Sequence, residues 1–140
     1  MVNISGYKER EQILLQIQDE VLLGGICFDE LTSFQLENAY IAFCAGADLA
    51  CLVMCQAALE SYIKDDENIE SRRFYDIIEN SSYSDDIKQQ LHHLRQYRNK
   101  WMHINIEKDA DFNIDETELM QEAINAYRLT LEVFHYYPFI

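Results

Sequence analysis

Proline occurs once and glycine four times in 140 residues, which excludes an all-β chain of short strands joined by many tight turns. Basic residues are scarce too. Eleven Lys and Arg stand against 25 Asp and Glu, a formal net charge of −14. A general nucleic-acid coat protein, which gathers phosphate over a broad basic surface, is thereby excluded. The four cysteines (Cys27, Cys44, Cys51, Cys55) contain no CxxC pair and have no matching histidine pair. They are expected to fill core space as small hydrophobes, without disulfides in a reducing compartment, and no metal or cofactor is expected. No charged head followed by an apolar run opens the chain, so no signal peptide is expected and a cytoplasmic location is the default. Internal repeats and low-complexity segments are absent.

What remains is helical. Ala, Leu, Gln, Glu and Lys dominate long stretches, and the length suits a single domain over residues 1–140 with a sizeable core. Tyr7 to Leu23 reads as a first helix whose apolar face is Ile13, Leu14, Ile17, Val21 and Leu22, ended by Gly24-Gly25. Thr32, with Gln35 three residues on, reads as the capping box of a second helix, stapled by Leu31 and Leu36 and running to about Lys64. Its middle, Ala39 to Leu59, is apolar almost all round and long enough to span a membrane. Asp48 at its centre is expensive in lipid, and the flanks show no positive-inside bias, so a central bundle helix is the better reading.

Residues 65–71 are polar and read as a loop. Ser71 to Asn80 reads as a short helix with Phe74, Ile77 and Ile78 facing in. Ser84 caps a third main helix that carries Asp85 and Asp86 in its first turn and frays near His103. After an acidic, turn-rich stretch, Asp115 caps a fourth, with Glu118 three residues on and Ile114 and Leu119 as the staple. Its buried face is Leu119, Ala123, Tyr127, Leu131 and Phe134. The expected fold is all-α: an antiparallel four-helix bundle with one additional short helix.

The chemistry concentrates in Leu91 to Asn105, LHHLRQYRNKWMHIN. Ile87, Leu91, Leu94 and Trp101 form a core-facing stripe at helical spacing, and Arg98 falls on the same line. An arginine aimed at a buried seam needs a partner. Beside it run His92, Arg95, Asn99 and His103 at steps of three and four. Six of the eleven basic residues lie between 72 and 100 (Arg72, Arg73, Lys88, Arg95, Arg98, Lys100), while acid gathers at 65–70 and 107–122. A local positive site on an acidic body is the expectation. Arg98 and His103 are five steps apart, about 140° of turn and about 7.5 Å of rise, so they do not share one helical face. To act together they need a long reach, a loosened helix end, or a second copy of the chain.

RNKWMH, residues 98–103, resembles the HEPN motif, Arg–polar–x3–His, with Asn99 as the polar residue. ALESYIK, Ala58 to Lys64, is similar to the end of the corresponding HEPN helix. The resemblance covers the chain in architecture and about six residues in motif. It implies an HEPN-like helical domain acting as a homodimeric, metal-independent endoribonuclease, of the kind found among toxins and antiviral defence effectors. Arg98, His103 and Asn99 would then be catalytic, and Arg95 and Lys100 would contact the RNA backbone. In the HEPN branch controlled by nucleotidyltransferase antitoxins a tyrosine stands two residues after the histidine. Here that residue is Asn105, so neither that antitoxin nor its mode of control is carried over.

Structure alone offers rival readings. Arg98 would be a buried arginine paired with Asp48 or Glu60, His103 a helix C-cap, and His92-His93 a surface or interface pair. The aromatic tail FHYYPF reads as a packed terminus or a dimer patch. The alternative function is a non-catalytic acidic helical module that binds a partner protein, as an immunity protein or a nucleic-acid mimic does.

Overall fold

The computed structural model describes residues 6–21, 29–103 and 113–135, and these form six α-helices with no strand among them. They are α1 (Tyr7–Val21), α2 (Glu30–Cys44), α3 (Asp48–Glu67), α4 (Phe74–Glu79), α5 (Asp85–Met102) and α6 (Glu116–Phe134). The all-α class is as expected. The segments holding Gly24-Gly25, Cys27, Asn105 and the aromatic tail beyond His135 lie outside the described residues.

Side-chain caps set the helix starts. Ser84 Oγ accepts the Ile87 N–H at 3.3 Å, and an Asp115 carboxylate oxygen accepts the Glu118 N–H at 2.9 Å, both at the expected positions. The start of α2 differs. Asp29, not Thr32, is its cap, accepting the Thr32 N–H at 2.6 Å. A carboxylate adds favourable charge at the dipole's positive end, and Thr32 is left to bury itself one turn in. Neither expected staple closes, since Leu31 is 57 % exposed and Ile114 66 %.

The long second helix is in fact two. Gly46 takes φ 88°, the left-handed conformation that costs glycine nothing. Its N–H donates to Phe43 O at 3.0 Å and the Ala47 N–H to Ala42 O at 2.8 Å. This pair of bonds is the Schellman arrangement that satisfies the last carbonyls of a helix. Asp48 is therefore not a charge in mid-helix. It opens α3, where the helix dipole favours a carboxylate, and it pairs with Arg10 of α1 at 2.5 Å. The expected pairing of Arg98 with Asp48 is corrected by that contact. Among the described residues no helix is long and apolar enough to cross a membrane. Two smaller corrections follow along the chain. The second segment continues to Glu67, past the expected loop start, and the short helix begins at Phe74 rather than Ser71.

α3 sits at the centre, packed on α2, α4, α5 and α6, while α1 closes against α2 and α6. Its Cys51, Leu52, Cys55, Ala58, Leu59 and Ile63 are buried, and the small members let neighbouring helices approach. Onto them come Phe74, Ile77 and Ile78 from α4, and Ala123, Tyr127, Leu131 and Phe134 from α6, as the periodicity indicated. Burial pushes the Tyr127 hydroxyl up to about 12, and that hydroxyl accepts a hydrogen bond from Gln18 Nε2 at 3.0 Å. Cys44, Cys51 and Cys55 are buried free thiols. A hydrogen bond with Cys55, then burial, push the Cys51 thiol well up, so it is a poor nucleophile.

Candidate functional site

α5 is held by Ile87, Leu91 and Leu94, all buried. At the next turn the seam has two candidates, and the structure buries Tyr97 rather than Arg98. A phenol ring brings apolar area inward at far less desolvation cost than a guanidinium. Arg98 is left half-buried on the shoulder of the helix. The expected place of Arg98 on the core line is corrected accordingly.

That rotation turns Arg95, Arg98 and Asn99 toward α3 and the start of α4, where they line a polar depression of about 300 Å³. Gln56 and Glu60, one turn apart on α3, form another wall. Arg72 and Arg73 enter from the α3–α4 connection, followed by Tyr75 of α4. Four guanidiniums thus meet one lining carboxylate, an excess of three positive charges on a chain of net charge −14. Among the described residues no carboxylate lies within ion-pair distance of Arg72, Arg95 or Arg98, and the one partner of Arg73, Asp76, is 3.9 Å away.

Arg95 and Arg98 are positioned by groups other than acids. Arg98 Nη1 donates to Asn99 Oδ1 at 3.3 Å. Arg95 Nε donates to His92 Nδ1 at 3.3 Å, and its guanidinium lies 5.2 Å from the Tyr75 ring centroid. With Nδ1 accepting, the neutral His92 ring carries its proton on Nε2, which faces Glu79 Oε2 at 3.0 Å. That hydrogen bond holds the Glu79 carboxyl below its ordinary range. Glu60 Oε1 accepts from Gln56 Nε2 at 2.9 Å, which fixes the carboxylate on the pocket wall.

The residues singled out in the sequence divide accordingly. Arg95, Arg98, Asn99 and Glu60 come together in the depression. His103 does not line it. It is the exposed C-cap of α5, its N–H donating to Asn99 O at 2.9 Å. Lys100 turns the other way, with Nζ 4.0 Å from Glu118 Oε1 and 5.4 Å from the Tyr97 ring centroid. Asp48 is engaged by Arg10 in a separate cluster. His93 faces Glu122 on the α6 side at 3.0 Å. Arg72, Arg73, Gln56 and Tyr75 had not been assigned a site role; the crowding of basic residues between 72 and 100 was the signal that reached the two arginines. Among the described residues no three His, Cys, Asp or Glu side chains group as a metal site. Compared with known proteins, the chain matches no family model, no curated protein and no solved structure.

Proposed function

We propose that this chain is a metal-independent endoribonuclease of the HEPN type, a toxin-like or antiviral effector that cuts RNA in the cytoplasm at a site completed by a second copy of the chain. The observation that carries the reading is the arginine depression: Arg98 and Asn99 face an open polar space with three positive charges in excess. An acidic protein that concentrates four guanidiniums around one lining carboxylate has a site for an anion, and RNA phosphate is the anion the motif calls for. The proposal includes an HEPN-like bundle built from these helices.

The chemistry needs no external nucleophile. The ribose 2′-oxygen attacks the adjacent phosphorus, the bond to the 5′-oxygen breaks, and the products carry a 2′,3′-cyclic phosphate and a 5′-hydroxyl. One histidine takes the 2′ proton and another protonates the leaving oxygen, a task imidazole performs near neutral pH. One His103 per chain supplies one of these, and His103 of a second copy the other. Arg98 offsets the charge that builds on the phosphorane, and Asn99, already bonded to Arg98, keeps that guanidinium in place. Arg95 holds a neighbouring phosphate. Lys100, turned toward Glu118, reaches RNA only if that contact opens.

The test is cleavage of RNA in EDTA by wild type beside His103→Ala, with folding checked by circular dichroism. Metal-free cleavage that leaves cyclic phosphate ends and is lost in the variant is the expected result. A second reading draws on one observation, that His103 stands outside the depression of its own chain. On it the protein is a non-catalytic acidic module that binds a partner protein. A well-folded wild type that cuts no RNA across a range of sequences decides for that reading.

A further inference from the structure

We infer that the arginine depression is a receptor for a terminal phosphate, the phosphomonoester of a nucleotide or of the end of an RNA strand. The inference shares the pocket of the cleavage reading but does not require cleavage, since holding a phosphate breaks no bond.

The argument is one of charge, oxygen count and wall chemistry. A phosphodiester within a strand carries one negative charge and two free oxygens. A phosphomonoester carries about 1.5 to 2 negative charges near pH 7 and three acceptor oxygens. Arg72, Arg73 and Arg95 line the depression from two elements, the α3–α4 connection and α5, which suits a compact group better than a track along one helix. Three guanidiniums match three terminal oxygens, and with Glu60 they leave an excess of two positive charges, which a dianion meets better than a monoanion. Arg98, bonded to Asn99, is next along α5 toward His103 and is left for a phosphate further into the strand.

Glu60 sets the rest of the ligand. A carboxylate in the wall of an anion site repels a bare phosphate. It is accommodated when it faces a hydrogen-bond donor, and among the described residues nothing donates to its Oε2 once Oε1 has accepted from Gln56. The donors a nucleotide places beside its phosphate are ribose hydroxyls and base N–H groups. Tyr75, 44 % exposed at the rim, adds an aromatic edge beside them. The ligand class is therefore a phosphomonoester carrying hydroxyl or N–H donors.

The experiment is calorimetric titration of the full chain at low salt with 5′-AMP, 3′-AMP, the methyl ester of 5′-AMP, and adenosine. At least one monoester is expected to bind about tenfold or more tighter than the methyl diester, the difference one charge-assisted hydrogen bond makes. Adenosine should not bind measurably. The double variant Arg72→Gln/Arg73→Gln, both residues exposed and outside the core, should stay folded and lose the preference. Titrating His103→Ala with an uncut RNA decamer, with and without the favoured end phosphate, separates the two sources. A preference there assigns the pocket to strand ends; equal binding, with the AMP preference kept, assigns it to free nucleotides. The inference is overturned if monoester and diester bind alike, if neither binds, or if the double variant keeps the preference. Absence of cleavage with an intact monoester preference sinks the ribonuclease alone, and cleavage without that preference sinks this inference alone.

Discussion

Removing Asp48 should cost more stability than any other single carboxylate deletion among the described residues. Arg10 is 3 % exposed, and its guanidinium meets the Asp48 carboxylate through Nη1 at 2.5 Å and Nη2 at 3.3 Å. Nη1 also donates to Phe43 O at 3.0 Å, and the guanidinium lies 4.7 Å from the Phe43 ring centroid. Asp48→Ala leaves that cation buried with one carbonyl and a ring face. Breaking a buried pair from one side typically costs about 3–5 kcal/mol, a large part of the roughly 5–15 kcal/mol that holds a domain together. With a urea slope of about 2 kcal/mol per molar, the unfolding midpoint should drop by about 1.5–2.5 M. Replacing both partners, Arg10→Met with Asp48→Leu, removes the stranded charge and should return to within about 1.5 kcal/mol of wild type. Urea unfolding followed by circular dichroism measures each variant. The partner is identified by background: the cost of Asp48→Ala should nearly vanish in Arg10→Met and persist in Arg98→Gln. A midpoint drop below about 0.5 M for Asp48→Ala, or a double variant as unstable as the single, refutes the reasoning.

Two further outcomes bear on where helices begin and end. Asp29→Ala should cost about 0.5–2 kcal/mol at neutral pH as a lost N-cap, whereas Thr32→Ser should leave that cap in place. The backbone hydrogen bond from Thr32 lowers the Asp29 carboxyl below its ordinary 3.8. Its contribution is therefore present above pH 3.8 and lost as pH falls through the lowered value, so the gap between wild type and Asp29→Ala in denaturant melts should close in acid. An Asp29→Ala cost that does not change with pH would count against the cap. Gly46→Ala places a side chain at φ 88° and should destabilise by about 1–2 kcal/mol; a neutral or stabilising result in the same melts would mean that α2 and α3 do not break there.

Much of this fold was legible because it is written in local chemistry. Ser84 and Asp115 cap helices through their own side chains, and the recurrence of Ala123, Tyr127, Leu131 and Phe134 fixes a buried face without reference to anything else in the chain. Gly46 was present in the sequence and was still passed over. A glycine inside an apolar helical run costs only about 1 kcal/mol, so the pattern could absorb it, and only its left-handed backbone shows that it ends α2. Thr32 was similarly read one turn late, because two capping residues three positions apart differ in sequence by little and in structure by which of them is buried.

The site divides along the same line. The sequence by itself determined that the chain is helical, that its few cations cluster between residues 72 and 100, and that Arg98, Asn99 and His103 follow one another at the end of one helix. Those are properties of composition and of the 3.6-residue period. Only the tertiary structure decided that Tyr97 rather than Arg98 enters the seam, that Asp48 belongs to Arg10, and that Arg72 and Arg73 meet Arg95 and Arg98 in one depression while Lys100 and His103 do not. Those outcomes turn on which of two neighbouring residues is cheaper to bury, and on which helices lie side by side. Neither is a property of any single stretch of chain.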